Sequence, residues 1–151
     1  RMLQEVNTRI AERRHPTHEN DITLLFIDLD DFGKLNKKYG DDVGDDALRL
    51  LGGAIRQNIR AEDIAIRKGG DEFVIILIGA TPEAANKSVV QRLQTMLDGE
   101  LTLTARNDTL QIKGSMGVFK YNTDISPLDN LKQADELMRQ QKQARKKHLA
   151  A

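Results

Sequence analysis

Cysteine is absent from this 151-residue chain, which excludes disulfides and thiolate metal sites and suits a reducing compartment. Net charge is absent too. Lys plus Arg and Asp plus Glu both number 23, so no global field draws the protein to a nucleic-acid polymer or an anionic membrane, and any anion site must be local. The longest apolar run, Phe73 to Ile78, is six residues, far short of the roughly 20 needed to span a bilayer. No signal peptide is visible. A cytoplasmic setting is expected, either alone or as the cytoplasmic part of a membrane-anchored protein, without direct membrane contact. With 39% hydrophobic and 30% charged residues, the composition is that of one soluble domain. At this length it is able to bury about 70% of its unfolded surface. Residues 1–151 read as a single domain. Its opening at Arg1 inside a helical pattern marks it as a fragment of a longer protein, with any sensor segment outside it.

Leu3, Val6 and Ile10 recur at helical spacing before Pro16, and residues 13–21 are polar and read as a loop. Ile22 to Leu29 is almost continuously apolar, as expected of a central strand covered on both faces. Phe32, Leu35 and Tyr39 predict a short helix stopped by Gly40. Residues 41–45 read as an acidic turn, with Asp45 capping a helix whose buried face is Leu48, Leu51, Ile55 and Ile59. Residues 63–68 and 73–78 predict two strands joined through Gly69-Gly70. Thr81-Pro82 starts a helix running to Gly99. Leu101 and Leu103, a turn at Asn107-Asp108, and the alternating Leu110, Ile112, Met116 and Val118 predict a second hairpin. Ser126-Pro127 opens a final helix with Leu128, Leu131, Ala134 and Met138 inward. The basic run Arg145-Lys146-Lys147 at its end complements the helix dipole. This order suits a mostly antiparallel sheet carrying helices on its faces, around a split βαβ core.

Acids gather at two places. Asp28, Asp30 and Asp31 close the first strand, where buried carboxylates are costly unless a cation compensates them. A surface turn accounts for Asp30 and Asp31 but poorly for Asp28. A calcium-loop reading of the same stretch fails, because Phe32 and Tyr39 stand at ligand positions and a strand precedes it. Asp71 and Glu72 follow Gly69-Gly70, beside a backbone that glycine leaves open to a ligand. An arbitrary Gly-Gly-acid-acid is more often a solvated hairpin tip. Were Asp28 and Asp71 neighbours, they and the Leu29 carbonyl would offer hard oxygen donors suited to Mg²⁺ rather than zinc.

The stretch Gly69-Gly70-Asp71-Glu72-Phe73, preceded by Arg67 and followed by an apolar strand, resembles the signature of the GGDEF family, the diguanylate cyclases of bacterial signalling. The resemblance implies an α/β (α+β), ferredoxin-like palm-type fold shared with nucleotidyl cyclases. It implies condensation of two GTP molecules into cyclic di-GMP and two pyrophosphates with Mg²⁺ or Mn²⁺, in a transient homodimer. It makes Asp28, Leu29 and Asp71 the metal ligands and sets Glu72, as ligand or base, next to the attacking hydroxyl, with Asp71 and Glu72 catalytic. Asn36 and Asp45 match the guanine-reading pair. Amides around Asp31 and Phe32, together with Lys142 and Lys146, match the phosphate contacts. Arg60 and Asp63, with Arg92 as a further contact, match a product-inhibition site for cyclic di-GMP, although Arg-x-x-Asp alone is usually a surface ion pair.

The chain departs from the family's pattern in several places. Gly33 stands where a phosphate-binding Lys is usual, Asp31 where an aromatic is usual, Lys37 where Asp is common, Asp41 where His is usual and Arg139 where Tyr is usual. The segment that precedes the first helix in the family is missing. These departures imply weaker GTP binding. They leave two alternatives: a degenerate module that binds GTP or cyclic di-GMP and regulates a partner without turnover, and a purely structural dimerisation domain.

Overall fold

The computed structural model describes residues 21–150, and the helix expected around Leu3 to Ile10 lies outside them. Six strands and five helices follow: β1 (Ile22–Leu29), α1 (Phe32–Tyr39), α2 (Asp41–Asn58), β2 (Ile64–Gly69), β3 (Glu72–Ile78), α3 (Pro82–Asn86), α4 (Val89–Thr95), β4 (Thr102–Ala105), β5 (Asp108–Gln111), β6 (Gly114–Lys120) and α5 (Pro127–Ala150). A π-helical turn, Met96–Glu100, extends α4. The central sheet has the order β2-β3-β1-β6, antiparallel throughout. With a helical crossover after β1 and another after β3, this is the ferredoxin-like arrangement of a palm-type α+β fold.

Alternation along the strands sorts the side chains into two layers. Leu25, Ile27, Leu29, Phe73, Ile75 and Leu77 point to the face covered by α2 and α4. Ile22, Leu24, Phe26, Val74, Ile76 and Ile78 point to the face covered by α5, against Leu131, Ala134 and Met138. Both central strands are therefore apolar on both sides, which explains their near-continuous hydrophobic runs.

Three expected boundaries are corrected. Helix α2 starts at Asp41 with Gly40 as its N-cap residue, so Asp45 lies inside the helix and does not cap it. The helix expected from Pro82 to Gly99 breaks at Ser88, whose backbone is non-helical (φ −136°, ψ −98°), dividing α3 from α4. The second hairpin pairs only β4 with β5, through a turn whose Arg106 and Asn107 both have positive φ (50° and 67°). Met116 and Val118 belong instead to β6, hydrogen-bonded to β1 in the central sheet. Apolar alternation continuing from Leu110 to Val118 conceals the change of partner.

Candidate functional site

The row Ile22, Leu24, Phe26 ends on the same face in Asp28, and the row Ile78, Ile76, Val74 ends in Glu72. The two acids sit directly opposite each other in the β1–β3 register. Like charges placed so destabilise a sheet unless a cation lies near. Asp71 occupies the intervening turn, where Gly70 takes a left-handed φ of 48° and Arg67 Nε donates to the Gly70 carbonyl at 3.0 Å. The Leu29 amide donates to the Asp71 carbonyl at 3.3 Å, tying the turn to the end of β1. The fold thus brings Asp28, Leu29, Asp71 and Glu72 together from two stretches more than forty positions apart in sequence.

Cations arrive from α5 and β2. Lys142 Nζ lies 2.9 Å from Asp28 Oδ2, 3.4 Å from the Leu29 carbonyl and 3.9 Å from Asp30 Oδ1. Lys68 Nζ is 4.0 Å from Glu72 Oε2 and 5.2 Å from the centre of the Phe26 ring. Asp30 accepts from Ser115 Oγ at 2.8 Å and lies 3.5 Å from Arg145. Arg145 also donates to the Gly114 carbonyl and reaches Asp98 at 3.2 Å. Arg145 is therefore a brace between α5, β6 and the π-turn, beyond the dipole role its place in a basic run suggested.

Asp28 Oδ1 is buried with no hydrogen-bond partner. Burial first, and then the Asp71 carboxylate beside it, raise the Asp28 carboxyl from 3.8 to about 6, against the lowering pull of Lys142. An orphaned buried carboxylate oxygen, a second carboxylate and a strand-end carbonyl fit a hard divalent cation such as Mg²⁺. Among the described residues no three acidic or histidine side chains converge to hold a metal, so phosphate and water oxygens would have to complete its shell. Lys142, expected at the phosphates, rests instead on the oxygens that such an ion would take.

The raised Asp28 value has a stability consequence. The folded state holds a proton more tightly than the unfolded chain, so this group's contribution is fully present below 3.8 and is lost as pH rises through about 6. Asp28→Asn removes that penalty. Its stability relative to wild type should rise by about 2 kcal/mol between pH 4 and pH 7.5, measured by urea melts at each pH. A pH-independent difference would contradict the raised Asp28 value and its burial penalty.

Asn36 and Asp45 come from adjacent helices. Asn36 Oδ1 is buried without a partner and packs on Gly44, where an added Cβ would lie 1.8 Å from it. Asp45, the next residue along α2, is exposed. On this ridge the Asp45 carboxylate is an acceptor, and the Asn36 amide beside it adds an Nδ2 donor to its unpartnered oxygen. Phe32 packs partly buried under the same ridge. Asp31 makes no side-chain cap to α1 and lies 3.9 Å from Lys34, while Gly33 is exposed.

On the other side of α1 lies a cavity of about 760 Å³, walled by α1, the β5–β6 connection and α5, with Lys142 and Lys146 at its edge. Arg60, Asp63 and Arg92 occupy a different corner. Arg92 donates to Asn58 at 2.9 Å, which brings α4 against the end of α2 beside Arg60. Asp63 differs from the expected ligand acceptor: its oxygens accept from the Arg60 and Ile78 amides at 2.8 and 3.0 Å, and its side chain is 3% exposed. It holds the α2–β2 turn against β3, leaving Arg60, 62% exposed, as the outward group of the pair.

The sequence profile of the family described as "Diguanylate cyclase, GGDEF domain" matches residues 1–148, and the chain belongs to that family. A curated relative, the probable diguanylate cyclase DgcC of Escherichia coli (strain K12), is 36% identical over 165 residues, covering 95% of this chain and 43% of the relative. The chain therefore spans less than half the length of this relative. The diguanylate cyclase DgcS of Shewanella oneidensis is 46% identical over 69 residues, covering 46% of this chain and 23% of the relative. Among solved structures, diguanylate cyclase SiaD of Pseudomonas aeruginosa, in complex with its activator SiaC, superposes with a TM-score of 0.84 at 22% identity, over 95% of this chain and 54% of that one. The GGDEF domain of DgcB from Caulobacter crescentus, in complex with c-di-GMP, superposes with a TM-score of 0.80 at 22% identity, over 93% of this chain and 82% of that one. These structural likenesses establish a shared fold.

Proposed function

We propose that this domain is a diguanylate cyclase catalytic unit that joins two GTP molecules into cyclic di-GMP. The observation that carries the reading is the buried, unpaired Asp28 Oδ1 next to Asp71 and opposite Glu72, at the open end of the central sheet. Asp28, Asp71 and the Leu29 carbonyl would hold Mg²⁺ or Mn²⁺. When bound, such an ion polarises phosphoryl oxygens and favours ionisation of the attacking hydroxyl. Glu72 stands beside that hydroxyl as ligand or base. Asn36 and Asp45 read the guanine edge, since guanine offers N–H donors to a carboxylate and acceptors to an amide. The α1 amides near Asp31 and Phe32, with Lys142 and Lys146, hold the phosphates; Lys142 turns from Asp28 towards them.

In each half-reaction a 3′ oxygen forms a bond to the other nucleotide's α-phosphorus, the bond from that phosphorus to pyrophosphate breaks, and the hydroxyl proton passes to Glu72 or to water. One protomer cannot align both nucleotides, so the reading requires a transient two-fold homodimer. Cyclic di-GMP, which the DgcB GGDEF domain binds in its structure, would be both product and inhibitor here, with Arg60 and Arg92 as its contacts. A regulatory module that binds without turnover is the second reading. It is favoured by Lys142 seated on Asp28 and the Leu29 carbonyl, and by Asp31 and Gly33 standing where the family pattern has an aromatic and a phosphate-binding Lys.

Calorimetric titration with Mg²⁺ tests the site. GTP should bind at least about tenfold more tightly than ATP, whose adenine lacks guanine's N1–H and 2-amino donors and turns an N1 acceptor towards Asp45. Equal affinities would remove Asn36 and Asp45 from the site. Gly44→Ala gives a sharper result. Ala should favour the α2 interior by up to about 1 kcal/mol, but its Cβ must push the Asn36 amide aside. GTP affinity should fall about tenfold while the melting temperature holds, as expected for a lost hydrogen bond without a packing defect. Unchanged GTP affinity would mean that Asn36 does not meet the base.

A further inference from the structure

The chain carries no net charge, yet the cavity beside α1 is strongly cationic. Lys34, Lys38, Lys113, Lys142, Arg145 and Lys146 line it, against Asp30 and Asp31. Six cations face two lining carboxylates, and Asp28 and Asp98, each in contact with one of the same cations, reduce the surplus to two. Most of the six have a partner. Lys142 rests on Asp28, Arg145 lies between Asp30 and Asp98, Lys34 lies near Asp31, and Lys38 stands 5.3 Å from the centre of the Tyr39 ring.

The side chains of Lys113 and Lys146 make no ion pair, hydrogen bond or ring contact among the described residues. Lys146 is exposed near the end of α5, where solvent and the helix dipole account for it. Lys113 has no such account. It is half-buried in the β5–β6 connection, and its carbonyl accepts from the Asp30 amide at 2.8 Å. That bond fixes its backbone beside the end of β1, two residues from Asp28. With no counter-charge on it among the described residues, its ammonium can meet an anion that enters the cavity.

We propose that Lys113 is a phosphate-binding residue of this cavity, meeting the polyphosphate tail of the nucleotide whose α-phosphate reacts at Asp28 and Asp71. The proposal rests on the GTP-binding reading above and deepens it. A triphosphate chelating one divalent ion still carries about two negative charges, which the cavity's surplus of two can balance. Lys113 lies on the opposite wall from Lys34 and Lys38, so the tail would be gripped between α1 and the β5–β6 connection.

The test compares wild type, Lys113→Gln and Lys113→Arg by calorimetry with Mg²⁺ and three probes: GTP, GMP and inorganic tripolyphosphate. Lys113→Gln should weaken GTP and tripolyphosphate by about tenfold or more and leave GMP unchanged, as expected when one charge-assisted contact is lost. Lys113→Arg should restore most of the loss. Equal weakening of GMP and GTP would show a structural role and overturn the proposal, as would unchanged GTP binding in Lys113→Gln while wild type binds GTP. That last result would leave the cyclase reading standing. If wild type binds neither GTP nor tripolyphosphate, the proposal and the reading beneath it both fall.

Discussion

Asp71→Asn should lower cyclic di-GMP formation at least about a thousandfold, about 4 kcal/mol in the barrier, without unfolding the protein. The amide keeps the size and polarity of the turn residue but removes the anionic charge that would share a cation with Asp28. Asp71 is half-exposed, and its carbonyl rather than its side chain bonds the Leu29 amide. The turn itself is fixed by Gly70 and by Arg67. The fold therefore loses little, as is usual for surface polar substitutions. Steady-state rates and a thermal melt on the same preparation check both halves. Half the activity retained would remove Asp71 from the metal site, and a large fall in melting temperature would assign it a structural task.

Gly117→Ala should destabilise the domain by about 3 kcal/mol, a fall of roughly 6–12 °C in melting temperature. Gly117 lies on β6 beneath α5. A Cβ there would sit 2.5 Å from both the Ala134 carbonyl oxygen and the Met138 amide nitrogen, and 3.0 Å from the Leu137 carbonyl carbon. These are backbone atoms, so no rotamer change relieves the contact and the helix must move away from the sheet. Such movement also withdraws Lys142 and Arg145 from Asp28 and Asp30. Nucleotide affinity should fall together with stability, unlike the separation expected for Gly44→Ala. A melting temperature within 2 °C of wild type would mean that α5 shifts at little cost.

Much of this was legible because the informative patterns are local. The apolar run from Ile22 ends in acids, the Gly-Gly turn is followed by Asp71 and Glu72, and antiparallel pairing of those two strands places their ends side by side. The helix of Phe32 and Tyr39 is stopped by Gly40, which takes a φ of 93°. Other features have no local signature. Five residues from Asp41 to Asp45 contain three carboxylates that suit a helix start equally well, so Gly40 rather than the sequence around Asp45 sets where α2 begins. The inward turn of Asp63 depends on the Ile78 amide, fifteen positions away. Lys142 reaches Asp28 across 114 positions, and Ser115 reaches Asp30 across 85. The orphaned Asn36 oxygen is legible only once α1 packs against Gly44.

Cyclic di-GMP synthesis is checked by analysis of the products. The protein should be incubated with GTP and Mg²⁺, then separated from its products for mass spectrometry. Cyclic di-GMP and pyrophosphate should form in a ratio of one to two, with no product when Mg²⁺ is chelated or when ATP replaces GTP. Intact GTP recovered at protein concentrations that saturate with nucleotide, or conversion to GDP and phosphate, would contradict it.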